Sequence, residues 1–292
     1  MDEWHVGDPA DWGDSVGVPD IPYMGYLQDD DDEKDSHPHM THSQRLVDEA
    51  WRLRQDCMLD EALDKINKSL ETCGSGRAYN IKAIILEDMG DYEGALYNYK
   101  QALQRKHPPI VPDNLARLYN RMAESGRYSK EKSLDYINKA LDLTKDESDR
   151  LEFLATKSDV LKDLGRYREA YVCNKLSNKQ FNLVDEFETQ SKILQNTDDT
   201  FICITGRKFY GYSAPTRKGT VIDLIKEPEN QHDPDAIRVE YNGDSVGYVA
   251  NANFTLIDEA SSASDIKGLF EDKAKAEILF IYMEEHLVAR LI

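Results

Sequence analysis

Basic residues are scarce in this 292-residue chain: 36 Lys and Arg stand against 55 Asp and Glu, for a formal net charge of -19. Nonspecific binding of nucleic acid depends on Lys and Arg displacing condensed counterions, so this balance excludes a general polyanion-binding surface and leaves room only for a local site. Cysteine is scarcer still. Cys57, Cys73, Cys173 and Cys203 stand singly, without the short paired spacing of a zinc site or a disulfide framework. They predict buried thiols in a reducing compartment. No apolar run approaches the roughly 20 residues of a membrane span, and the N-terminus is acidic where a secretion signal would be basic and then apolar. The expectation is a cytoplasmic protein with no membrane contact. Also missing are a Gly-rich phosphate loop ending in Lys-Ser or Lys-Thr, a paired Cys or His-Glu metal motif and a nucleophile elbow. The sequence therefore predicts no enzyme, no cofactor and no metal.

What is present begins with acid. Residues 29–33 form one acidic run, and Lys34 is the only base in the first forty residues. Residues 1–42 hold too few branched apolar side chains to offset the entropy of ordering, which predicts a disordered acidic leader. Yet Trp4, Trp12, Val16, Val18, Ile21, Tyr23, Met24 and Tyr26 suit a segment that docks into a groove, of a partner or of the same molecule. A leader of this charge can also shield a nucleic-acid site by imitating a phosphate chain. His37, His39 and His42 have a composition that can ligate a transition metal; the alternative is three exposed histidines.

Repetition comes next. Ala83 faces Ala95 and Ala102 across the turn at Gly90, small residues where two helices must cross closely. The template recurs at Ala50, Ala62, Ile66 and Ser69, and at Ser158, Gly165, Tyr167, Ala170 and Ser177. A third unit runs through Leu115, Leu118, Tyr119, Gly126, Tyr128, Ser133, Ile137 and Ala140. Equivalent positions 62, 95, 133 and 170 are 33, 38 and 37 residues apart, an irregular version of a period near 34. The pattern resembles the tetratricopeptide repeat and predicts a helical array over 43–195. Its last helix, through Phe181, Leu183, Val184, Phe187 and Leu194, would cap it. Stacked helix pairs leave a concave groove lined by the first helix of each pair. Counting along those helices places Trp51, Arg54, Arg77, Asn80, Ile84, Glu87, Asn120, Asp159 and Lys162 in that groove. The mixture suits a protein or peptide partner; the plainer reading is a solvated helix face.

Beyond residue 198 the period changes. Residues 201–204 and 221–225 read as strands. Asn242-Gly243 between residues 237–241 and 244–249 predicts a hairpin, because the two-residue turn needs positive φ at both positions. A short helix near 253–260 and strands over 276–282 and 286–291 complete an expected β-barrel-like unit of 198–292. Three motifs occur there in order: Gly206-Arg207-Lys208-Phe209-Tyr210, the run 227–239 containing Asn230, His232, Asp233 and Ala236, and Ser245-Val246-Gly247-Tyr248. Together they resemble a HIRAN domain, a β-rich module that grips 3′ ends of single-stranded DNA in its best-known relatives. The resemblance implies that Asp233 accepts a hydrogen bond from the terminal hydroxyl. Phe209, Tyr210, His232 and Tyr248 would then pack bases or sugar, and Lys208 would meet a phosphate. This chain departs from DNA-binding relatives at three places: Lys208-Phe209-Tyr210 for Arg-Tyr-Tyr, His232 for tyrosine and Tyr248 for histidine. Asp233 has a second reading, as a cap of its own loop.

The sum is an α + β multidomain chain: disordered acidic leader, all-α tetratricopeptide-type array and small C-terminal HIRAN-like barrel. The function expected of it is a non-enzymatic adaptor that holds a protein in the groove and a single-stranded DNA 3′ end on the barrel, in DNA repair or replication. The alternatives are a protein scaffold whose barrel no longer binds DNA and, more remotely, an accessory subunit of a DNA-processing hydrolase.

Overall fold

The computed structural model describes residues 40–195, 198–252 and 255–292. The expectations for residues 1–39 of the leader, including His37 and His39, lie outside those residues; His42, expected in the leader, instead opens the first helix behind the cap Thr41. Among the described residues nine helices come first: α1 (His42–Gln55), α2 (Leu59–Thr72), α3 (Gly76–Asp88), α4 (Tyr92–Leu103), α5 (Val111–Glu124), α6 (Lys130–Leu143), α7 (Glu147–Asp163), α8 (Tyr167–Ser177) and α9 (Phe181–Gln195). Local chemistry sets many of their starts. Thr41, Ser75, Asp91, Ser129 and Asp146 each accept a bond from the backbone N–H three residues on, satisfying donors that the first helical turn leaves free.

Small residues then set how closely helices pair. Ala50, Ala62, Ala83, Ala95, Ala102, Ala140 and Ala170 are all buried. The Ser43 and Ser69 hydroxyls meet at 2.8 Å between α1 and α2, and the Ser158 hydroxyl donates to the Ala170 carbonyl at 2.8 Å between α7 and α8. The array therefore has the helix-pair geometry expected of tetratricopeptide-type repeats. The long step into the third unit is absorbed by the connection 104–110 and the turn 125–129, and the helices keep their lengths. One residue in each intra-pair turn takes the left-handed conformation: Cys57, Gly90, Gly126 and Gly165, at φ 59°, 79°, 66° and 73°.

That turn corrects the expectation of four buried thiols. Cys57 and Cys73 are exposed, one in the α1–α2 turn and the other capping the end of α2. Cys173 and Cys203 are buried, and burial pushes the Cys203 thiol up to about 11.

The C-terminal unit consists of β1 (Phe201–Thr205), β2 (Val221–Lys226), β3 (Ile237–Tyr241), β4 (Asp244–Val249), helix α10 (Ala263–Ile266), β5 (Lys273–Tyr282) and β6 (His286–Leu291). The strands close an antiparallel barrel in the order β1-β4-β3-β2-β5-β6, around Ile202, Ile222, Leu224, Ile237, Val239, Val246, Ile278 and Leu287. The β3–β4 turn has the expected positive φ at Asn242 and Gly243, 55° and 89°. The short helix lies later than the sequence suggested. Ser262 and Asp265 form a reciprocal capping box that starts it at Ala263, while Ala260 bridges to Phe201 alongside β1.

Helix α9 does more than cap the array. Phe187 lies against Tyr171 of α8 and stacks on Tyr282 of β5, with ring centres 5.4 and 5.3 Å apart. The Ser191 and Tyr282 hydroxyls are 2.8 Å apart. Arg168 of α8 grips Glu259 with both terminal nitrogens, and Lys175 pairs with Glu284. Among the described residues no helix is long and apolar enough to cross a membrane.

Candidate functional site on the barrel wall and the repeat groove

Two glycines shape the barrel site. At Gly247 any Cβ would lie 2.6 Å from the Thr205 carbonyl oxygen, so only glycine lets the end of β1 close onto β4. Gly206 follows at once with φ 74°, turning the chain out of the strand into the 3-10 turn Arg207–Tyr210, which Gly211 ends at φ 61°. The turn is held on the outside of β4. It sets the Tyr210 ring 6.4 Å from that of Tyr248 and leaves Phe209 77% exposed. The Lys208 ammonium lies 5.1 Å from the Phe209 ring centre, with no carboxylate partner among the described residues.

Tyr248 faces Arg238 across the β3–β4 register. Glu227 ties this pair to the neighbouring loop. Its carboxylate accepts bonds from Arg238 Nε at 2.6 Å, Asn230 Nδ2 at 3.0 Å and the Tyr248 hydroxyl at 3.2 Å. Partial burial opposes ionisation of Glu227, but the three hydrogen bonds and the Arg238 charge outweigh it and hold its carboxyl below the usual range. Burial, with hydrogen bonds to Tyr210 and Glu227, pushes the Tyr248 phenol up to about 12. Tyr248 is therefore a neutral donor at pH 7.

The loop 228–234 is pinned from within. Asn230 Oδ1 accepts the backbone N–H groups of His232 and Asp233 at 3.0 and 3.2 Å. Asp233 Oδ1 accepts the Asp235 N–H at 2.9 Å, the local cap that the sequence allowed, and Oδ2 accepts Asn251 Nδ2 at 2.9 Å. Asn251 is fixed in turn by the backbone N–H and the hydroxyl of Ser264, at 3.0 and 2.9 Å. Asp233 thus presents an immobilised carboxylate with both oxygens already engaged, and His232 beside it is exposed.

The structure brings Lys208, Phe209, Tyr210 and Tyr248 onto one wall and links His232 and Asp233 to it through Asn230 and Glu227. Sequence reasoning missed Glu227, Asn230, Arg238 and Asn251. The first three carried a signal, sitting inside the matched run. Asn251 carried none, since its role depends on where α10 packs.

Along the face where the groove was expected, polar residues connect successive first helices. Between α1 and α3, Arg54 pairs with Asp88 and Arg77 with Asp48, each at 2.6 Å. Between α3 and α5, Asn114 donates to Asn80 at 3.2 Å and Arg121 pairs with Glu87 at 2.8 Å. Between α5 and α7, Asn120 donates to Glu152 at 3.2 Å and Arg117 pairs with Asp149 at 3.0 Å. Of the expected groove residues, Asn80 and Asn120 are buried and Ile84 packs against the core. Trp51 lies half-buried with the Arg54 guanidinium 4.9 Å over its ring, and Asp159 pairs with Lys162 at 3.0 Å.

No protein-family model matches the chain, and a search of curated proteins finds none similar to it in sequence. Among solved structures it is similar to a crystal structure of MamA, at 13% identity and TM-score 0.38 over 50% of this chain and 82% of that one. It is also similar to BtubC (BKLC) from P. vanneervenii, at 16% identity and TM-score 0.38 over 49% of this chain and 64% of that one. A third is MamA 41-end from Desulfovibrio magneticus RS-1, at 17% identity and TM-score 0.28 over 55% and 100%. Likeness at this level says nothing of function, which has to come from this chain's own residues.

Proposed function

We propose that this protein is a non-enzymatic adaptor whose repeats hold a protein segment and whose barrel, a HIRAN-like module, captures the free 3′ end of single-stranded DNA. The observation that carries the DNA reading is Phe209. A large aromatic ring 77% exposed on a turn held between two left-handed glycines is a pre-set stacking platform beside Tyr210, Tyr248 and the uncompensated Lys208. Base stacking on such a ring is worth about 1–3 kcal/mol and tolerates any base. In this reading Asp233 offers its remaining lone pairs to the terminal hydroxyl. An adaptor of this kind serves repair or replication, in a compartment reducing enough to keep the exposed Cys57 and Cys73 as thiols.

A second reading has its own support. Residues 198–292 hold ten Lys and Arg against seventeen Asp and Glu, and Arg238 is neutralised by Glu227 and Glu240. Those features favour a barrel that binds protein. Fluorescence anisotropy of the full chain with a short single strand, bearing a free or a phosphorylated 3′ end, separates the two. The DNA reading expects preference for the free hydroxyl, loss of that preference in Asp233→Ala and about tenfold weaker binding in Phe209→Ala, the equivalent of 1.4 kcal/mol. Absence of binding to either strand at low salt leaves the protein scaffold standing.

A further inference from the structure

We infer that the segment joining β1 to β2, residues 206–220, is a phosphate track that guides the nucleic-acid strand leading to the captured end. The inference rests on the 3′-end reading and extends it beyond the end itself. In a chain so rich in acid, residues 200–222 contain no Asp or Glu, yet they hold Arg207, Lys208, Arg217 and Lys218 and the aromatics Phe209, Tyr210 and Tyr212. None of the four bases has an ion-pair partner among the described residues, whereas Arg238 and Arg290 elsewhere on the barrel each hold two carboxylates. Arg207 also has a buried Nε–H that meets no acceptor.

The segment is held in shape without using those charges. Tyr212 N–H donates to the Arg207 carbonyl at 2.9 Å and Ser213 N–H to the Tyr210 carbonyl at 3.1 Å. Ala214 is buried in the barrel core. Thr220 N–H donates to the Arg217 carbonyl at 3.2 Å, and Gly219 N–H to the Ile278 carbonyl at 2.8 Å. Only three residues separate Ser213 from Arg217, four Cα–Cα steps, so their Cα atoms lie within about 14 Å. A strand with its end at Asp233 and a base on Phe209 therefore meets further cations along this crossing. Tyr212, 66% exposed with the Arg207 guanidinium 5.6 Å over its ring, offers a second stacking face. The nearest acids in sequence and register are Asp223 and Glu277, and Glu277 pairs with Arg290 at 2.7 Å, which it shares with Asp199.

Two single-stranded probes with free 3′ hydroxyls test this on the full chain: a trinucleotide that reaches only the end site and a dodecanucleotide that also spans the crossing. The dodecanucleotide is expected to bind the unmodified protein more tightly. In Arg217→Ala/Lys218→Ala that advantage disappears, and the slope of log K against log salt falls by about 1.4, two single-strand phosphate contacts, while trinucleotide binding stays unchanged. Trinucleotide binding with no added affinity or salt dependence for the longer strand overturns the track and leaves the end site intact. Failure of the unmodified protein to bind either probe overturns both. Displacement of the dodecanucleotide by an equally long polyglutamate at equal concentration assigns the segment to acidic protein instead of nucleic acid.

Discussion

Glu87 of α3 lies almost out of water, holding the Tyr99 hydroxyl at 3.0 Å and the Arg121 guanidinium at 2.8 Å. Burial raises its carboxyl above the usual range, and Arg121 and Tyr99 only partly counter that. The folded protein thus holds this proton more firmly than the unfolded chain does. The resulting stability is fully present below the unfolded pKa and is lost as pH rises through the folded one. Glu87→Gln keeps an acceptor for Tyr99 and removes the charge. It is expected to unfold at higher urea than the wild type at pH 7, with the gap closing towards pH 4. A variant less stable at pH 7 would show that the Arg121 pairing outweighs the burial. On the barrel the same competition ends the other way, since Glu227 has three hydrogen-bond donors and an adjacent charge.

At the scale of elements, the helix pairs were readable because each carries its own instructions. Cap residues, small crossing positions and the glycine of the turn all lie within one 34-residue unit. Cys57 breaks the series, sitting at φ 59° where the next three units have glycine. An L-residue there costs about 1–2 kcal/mol and glycine's looser unfolded state takes back about 0.5–1 kcal/mol, so Cys57→Gly is expected to stabilise the array by about 0.5–1 kcal/mol. Denaturant midpoints compared at equal m-value check this, and an unchanged or lower midpoint would refute it. Other elements were harder to read. The helix α10 escaped its expected place because a capping box of Ser262 and Asp265 is a weak signal in a stretch full of serine and aspartate. Burial of the cysteines was also illegible, because exposure at a turn or a helix end depends on what packs over it.

Over the whole molecule, α9 belongs to both domains. Leu194 packs with Phe201, Ile257 and Tyr282 on the barrel side, and Phe187 lies against Tyr171 and stacks on Tyr282. The barrel is therefore expected to unfold together with the last repeats. Phe187→Ala should cost about 2 kcal/mol, below the range for a fully buried phenylalanine, and should split the calorimetric trace into two transitions. A single transition shifted as a whole would mean that the Arg168–Glu259 and Lys175–Glu284 pairs suffice to couple the domains.

Sequence alone determined the helix pairs and the hairpin, because period, caps and turn residues act between neighbours. It also marked Asp233 as either a ligand contact or a loop cap. Only tertiary structure showed that the cap is made, that Asn251 holds the other oxygen, that Asn80 and Asn120 link the first helices of successive pairs, and that Ser191 meets Tyr282, 91 residues away. Those contacts depend on how helices cross and where the barrel closes, and packing angles of that kind are written in no local stretch of the chain.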